Sequence, residues 1–286
     1  MKRIVTAAVL TAAIVSGSLA ASPARAQSWS ELRNPQIEIE YVEPRNAAFK
    51  PIYDRLKKRQ VLEELQAFLS PLKLPRNLTV KLDQCGSASS PYKRGEPAVI
   101  CYEYVRQIEA LAPQGLAAIG PYWFETEFAV VGGFVHIMLH QVARAVFDIF
   151  EIPVWGRSEY AADKVAAFVM FQFGPETAFE SIMGAAWFLA HSSFSGIGDF
   201  SIVRSTDVDA QRFYNFVCIA LGGDSSLGSD SKFRFTFLKA MLPAARANGC
   251  ESEFKDIQDG FARTMMPHVD VEQMEKVRKI KWLQAG

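Results

Sequence analysis

Several chemistries are excluded by what the chain lacks. Of its 286 residues four are cysteine, and no two of them form a Cys-x-x-Cys pair, which argues against a cysteine-ligated zinc site. No Gly-x-Ser-x-Gly turn occurs, so a Ser-His-Asp nucleophile has no support. There is no internal repeat and no low-complexity tract. Neither sign of charge dominates, with 31 basic and 31 acidic residues. Setting aside Lys2, Arg3 and Arg25 of the N-terminal segment leaves a charge near −3, which argues against nucleic acid or an anionic membrane surface as partner.

What is present begins with an address. Residues 1–26 read as a secretory signal peptide: Lys2 and Arg3 form the basic start, residues 5–20 the apolar run, and Ala24-Arg-Ala26 a small-x-small cleavage site. A membrane anchor is the alternative, but Ser16, Gly17 and Ser18 interrupt a short run. The expected location is the periplasm or the exterior, with no membrane span after cleavage. Residues 27–286 are then expected to form a single domain, with apolar content of 49% ample for a core. Cys85, Cys101, Cys218 and Cys250, an even number in an exported chain, suggest two disulfides. Three pairings are possible, the most local being Cys85 with Cys101 and Cys218 with Cys250.

Alternation of polar and apolar residues predicts strands at 36–42, 78–82 and 98–101. Helical periodicity predicts one helix or two over 49–72, then helices over 103–111, 125–150, 158–171, 176–189, 207–221, 232–247, 251–265 and a charged amphipathic tail over 269–283. Loops are expected at 112–122, 192–207 and 222–230. The fold class is α+β, mostly helical, with a small N-terminal sheet. Residues 128–150 have the length of a membrane span. They also contain His136, His140, Gln141, Arg144 and Asp148, and ionisable groups are rare in a span, so a buried core helix is expected.

On that helix His136, His140, Arg144 and Asp148 recur every fourth residue, forming one polar stripe. Polar side chains on a buried helix need partners. Glu159 and Asp163, one turn apart on the next predicted helix with Ser158 as its expected cap, are the nearest candidates.

The segment Pro153-Val-Trp-Gly-Arg-Ser-Glu-Tyr-Ala-Ala-Asp163, with Gln211-Arg-Phe-Tyr-Asn215, Arg246-Ala-Asn-Gly-Cys250 and the motif helix before them, resembles a family of exported bacterial metallopeptidase-like proteins of zincin plan. The resemblance covers most of the chain from residue 74 to 268 and favours the local disulfide pairing. It implies a His-Glu-x-x-His helix binding zinc, a glutamate one helix later as third ligand, and an aspartate orienting a histidine. On this chain His140 stands at the first ligand, Glu159 at the third and Asp163 at the orienting carboxylate. Gln141 stands where the general base would be, and an amide cannot take a proton from water near neutral pH. Arg144 stands where the second histidine would be; it stays protonated and repels a dication.

The expected function is therefore that of an inactive relative, a pseudo-peptidase that needs no cofactor and still binds a peptide or protein in the inherited cleft. Arg144 is expected to bridge toward Glu159 or Asp163 in place of the metal, or else to pair only with Asp148 one turn on or to extend to the surface. The alternative is a zinc-dependent hydrolase whose ligands are His136, His140 and Glu159. A structural envelope protein with no cleft is a third reading. Gln211–Asn215 is expected to build a hydrogen-bond network, and His191 lies at the mouth of the 192–207 loop.

Overall fold

Strand alternation builds a three-stranded parallel sheet. β1 (Ile37–Tyr41), β2 (Leu78–Asp83) and β3 (Ala98–Cys101) lie in that order, Ile37 opposite Leu78 and Val80 opposite Ala98. The computed structural model from which this follows describes residues 29–87, 92–112, 126–193, 208–227 and 235–283. Side chains on a strand alternate between faces, so Leu78, Val80 and Leu82 enter the core together. Parallel neighbours require a crossover. Between β1 and β2 it is made by α1 (Lys50–Lys58) and α2 (Val61–Phe68), separated at Gln60, whose φ is +54°.

β3 leads into α3 (Tyr102–Leu111) and then α4 (Thr126–Ile149), a helix of 24 residues and so about 36 Å long. α4 is surrounded. The sheet and α3 lie against it, and so do α5 (Ser158–Met170) and α6 (Pro175–Ser193). By length and composition α4 is apolar enough to cross a membrane, but 78% of its apolar window is buried within the fold, as expected of a core helix.

Its crossing with α6 is close because two glycines meet there. A Cβ on Gly132 would lie 2.4 Å from the Ser181 carbonyl oxygen, and one on Gly184 only 1.9 Å from that of Phe128. α7 (Val208–Gly222) packs on α5 and α6 and on α9 (Cys250–Thr264). One hydrophobic core runs from the sheet through α4 to α9.

The disulfides pair Cys85 with Cys101 and Cys218 with Cys250, their Cα atoms 5.5 and 4.9 Å apart. The first ties β3 to the turn after β2, and the second joins α7 to α9. Such bonds persist in oxidising compartments outside the cytoplasm.

Three elements depart from the sequence reading. The helix expected over 232–247 is a 3-10 segment, Thr236–Met241, followed by the single turn α8 (Ala244–Ala247). Pro243 lies between them and has no N–H to continue a ladder. The tail helix shortens to α10 (Val271–Val277), with the Asp270 side chain accepting from the Gln273 N–H. Beyond it Trp282 is buried edge-on against Phe68, because an indole is better placed in a second small core with Leu32, Ala67, Val277 and Ile280 than on an amphipathic surface. Ser158 is the first helical residue of α5 and Arg157 its cap, with no capping side chain. The expected leader at 1–26 lies outside the described residues, as do 113–122, 194–207 and 228–230 of the expected loops.

Candidate functional site

α4, α5 and α7 converge on one carboxylate. Asp163, on α5, is fully buried. Its Oδ1 receives the His136 Nε2 at 2.9 Å and the His140 Nδ1 at 2.7 Å. From α7, Arg212 donates Nε to Oδ2 at 2.7 Å and Nη2 to Oδ1 at 3.0 Å. Four N–H groups thus meet one anion. Burial alone would raise the Asp163 carboxyl; the Arg212 guanidinium and the two imidazole hydrogen bonds overcome it and hold the group well below the usual carboxylate range.

The same carboxylate fixes the rings. An anionic oxygen accepts and never donates, so each histidine presents an N–H to it. Burial lowers the His136 imidazole below its ordinary value, against the upward pull of Asp163. Its remaining nitrogen, Nδ1, is buried and has no hydrogen-bond partner among the described residues, and its ring stands edge-on to Phe216 at 5.3 Å. His140, bound through Nδ1, has its Nε2 on the opposite edge of the ring. That is the atom a zincin motif would offer to a metal, with the aspartate behind it as orienting partner.

One turn further along α4, the side chain of Arg144 is 11% exposed and its Nη2 lies 3.5 Å from Glu159 Oε1 on α5. The guanidinium therefore faces Glu159, not Asp163. Nor does it pair with Asp148, which is taken otherwise. Asp148 accepts from Arg94 Nε, Tyr92 Oη and the Gly95 N–H, each at 2.8 Å, and pairs with Arg76 at 2.9 Å. Burial would raise that carboxyl; the Gly95 N–H and the two arginines hold it far below its ordinary value, while Tyr92 is pushed up to about 12 by burial and by Asp148. Gln141 is buried on α4. His191 stands apart, its Nδ1 donating to the Trp187 carbonyl at 3.0 Å and its ring lying against the Trp187 indole.

Arg212 is the site residue that sequence reasoning did not assign. The signal was available: an arginine at the start of a nearly continuous apolar helix, Phe213-Tyr-Asn-Phe-Val-Cys-Ile-Ala-Leu221, needs a buried anion. The rest of its motif forms the expected network: Gln211 donates to Asn215, which also accepts from Arg246, and Arg246 pairs with Glu253.

Residues 41–265, well over half of the chain, match the domain family described as "Putative metallopeptidase". The chain belongs to that family. No curated protein and no solved structure matches it.

The family implies a metal, and two donor sets can be tested for it. His136, His140 and Asp163 place one ligand-type atom each within 4.8 Å of one another, which is close enough for an ion. The oxygen that both histidines face, however, also accepts from the Arg212 Nη2. Three N–H groups on one carboxylate oxygen exceed its lone-pair directions and leave no free one, and the guanidinium repels a dication. Where the zincin resemblance would put a second histidine, Arg144 offers a cation in place of a neutral ligand. In both sets an arginine stands against a dication. Cysteine cannot contribute among the described residues, since all four sulfurs are in disulfides.

Proposed function

We propose that this protein is an exported, catalytically silent member of the metallopeptidase family that has kept the cleft and uses it to bind peptide. The supporting observation is the Arg144–Glu159 contact. The cation a zincin would draw from zinc is covalently part of α4, and it faces the carboxylate that would have been the third ligand. Gln141 removes the base that would activate water. Export accords with the leader-like residues 1–26 and with two disulfides. A cavity of about 410 Å³ bordered by Arg144 and Ser158, next to Glu159, favours a binding cleft over a protein with no cleft.

The test is metal content after purification without added zinc. The wild-type chain should carry well below one equivalent and show no chelator-sensitive proteolysis. Arg144→His should take up one zinc, and Gln141→Glu combined with Arg144→His should add hydrolysis. Stoichiometric zinc in the wild-type protein would overturn the proposal in favour of a hydrolase. The second reading, a metal held by His136, His140 and either Asp163 or Glu159, is favoured by the clustering of His136, His140 and Asp163. It predicts that His136→Ala empties the metal site.

A further inference from the structure

Among the described residues Arg144 has more donors than partners. A guanidinium carries five N–H groups. Among the described residues it pairs with Glu159 Oε1 at 3.5 Å, at the outer limit of a hydrogen bond, and its Nε is buried with no hydrogen-bond partner. A mostly buried, under-satisfied cation is costly. The side chain also lines the cavity of about 410 Å³ that opens between the end of α4 and the segment leading into α5.

The other lining residues narrow the ligand. Arg94 and Asp148 neutralise each other there, and Arg76 adds a second cation to Asp148 from outside the cavity. Glu151 contributes an exposed carboxylate. A dianion such as phosphate would meet the exposed Glu151 with only Arg144, whose carboxylate neighbour Glu159 stands at 3.5 Å, to hold it, so a monoanion is the better match. The volume is several times that of a small inorganic anion, and Ile152, Pro153 and Val154 give one wall apolar character. Trp155, the next residue, is 93% exposed, so its indole is open to a ligand that reaches this wall.

We infer that this cavity captures the free C-terminal carboxylate of a peptide, with Arg144 as the carboxylate-binding residue and Trp155 as an apolar contact for the residues before it. The fork of a guanidinium fits a carboxylate through two parallel hydrogen bonds. An approaching carboxylate would supply the acceptors that Arg144 now lacks. The inference rests on the reading of Arg144 as replacing a metal ligand and deepens it by naming the ligand class.

The test is calorimetric titration of chelator-treated protein with N-acetylated tripeptides ending in Ala, Leu or Phe, each as free acid and as C-terminal amide. The acids should bind at least about tenfold tighter than the amides. The preference should vanish in Arg144→Gln, checked for folding by circular dichroism. Trp155→Ala should weaken acids and amides alike and leave their ratio intact. If Arg144→Gln does not fold, the acid-to-amide ratio on the unmodified protein decides. Equal binding of acids and amides, no binding of either, an unchanged preference in Arg144→Gln, or displacement of the peptides by equimolar inorganic phosphate would each overturn the assignment. Stoichiometric zinc before chelation would sink the inactive-relative reading instead, so the two failures are separable.

Discussion

Replacing Arg212 by methionine tests whether Asp163 depends on a cation for its charge. The apolar stem is roughly retained and the guanidinium removed. Asp163 is fully buried, and its other two partners are imidazoles. Removing one member of a buried ion pair costs about 3–5 kcal/mol, because the remaining charge is left uncompensated. That is a large share of the about 5–15 kcal/mol by which a domain is stable. The cost falls if the cluster takes up a proton, on Asp163 or on a histidine beside it.

The sign with pH separates this from a packing defect. In the wild-type protein the Asp163 carboxyl is held below its ordinary 3.8, so its contribution is present above that pH and lost as pH falls through the folded value. The His136 imidazole is held below its ordinary 6.5; unfolding then takes up a proton as pH drops below 6.5, and stability falls in the same direction. In Arg212→Met both tendencies reverse. A buried carboxyl without its cation rises above 3.8, and an imidazole beside a lone carboxylate rises above 6.5. Either group then contributes more at pH 5.5 than at pH 8. A tenfold change in proton affinity corresponds to about 1.4 kcal/mol. Urea unfolding at both values should therefore give a wild-type minus variant difference of about 3–5 kcal/mol at pH 8 that shrinks by at least ~1 kcal/mol at pH 5.5. A difference under about 1 kcal/mol, or one independent of pH, would refute the account of Asp163 as an anion held by Arg212.

Two further outcomes follow from packing. Gly184→Ala places a methyl group against the Phe128 backbone carbonyl, which cannot move aside as a side chain can; overpacking costs about 1–3 kcal/mol or more, read as a lower thermal midpoint, whereas Gly260→Ala, with nothing within 4 Å of its Cβ, should not lower it. Replacing Cys218 and Cys250 together by alanine should cost about 2–5 kcal/mol in chemical unfolding, and the loss should match that seen on reducing this bond in the wild-type protein.

The polar stripe on α4 was legible because helical spacing and apolar surroundings are local properties. Period-four recurrence put His136, His140, Arg144 and Asp148 on one side, and burial followed from their neighbours. Which carboxylate each would meet was not legible, because it depends on how α5 and α7 lie against α4. Asp163 gathers both histidines, while Asp148 turns to Arg76, Arg94 and Tyr92, which are distant in sequence. Arg212 was hidden for the same reason: a helix of low polarity announces that its arginine needs an anion, but not which one. The tail misled because Trp282 follows five residues after α10 ends, and amphipathic patterning does not register one large ring entering a separate core.

On the proposed reading, charge balance couples positions 141 and 144. In a zincin arrangement two positive charges of the metal face the third-ligand glutamate and the motif glutamate, and the four charges cancel. Here one positive charge on Arg144 faces one negative charge on Glu159, and the neutral amide of Gln141 stands where the second carboxylate would be. Arg144 beside a glutamate at 141 would leave a nearly buried negative charge with no partner, a cost of several kcal/mol. Gln141 beside a histidine at 144 and a bound zinc would leave an excess positive charge instead. Neither substitution is comfortable alone, so on the proposed reading the two act together. The Arg212–Asp163 pair carries no net charge, so the proposed replacement of a metal by Arg144 would leave it unaffected. Gln141→Glu alone should therefore destabilise the protein, and adding Arg144→His with zinc present should restore stability. Equal stability of the single and double variants in the presence of zinc would show that the two positions are not coupled through charge.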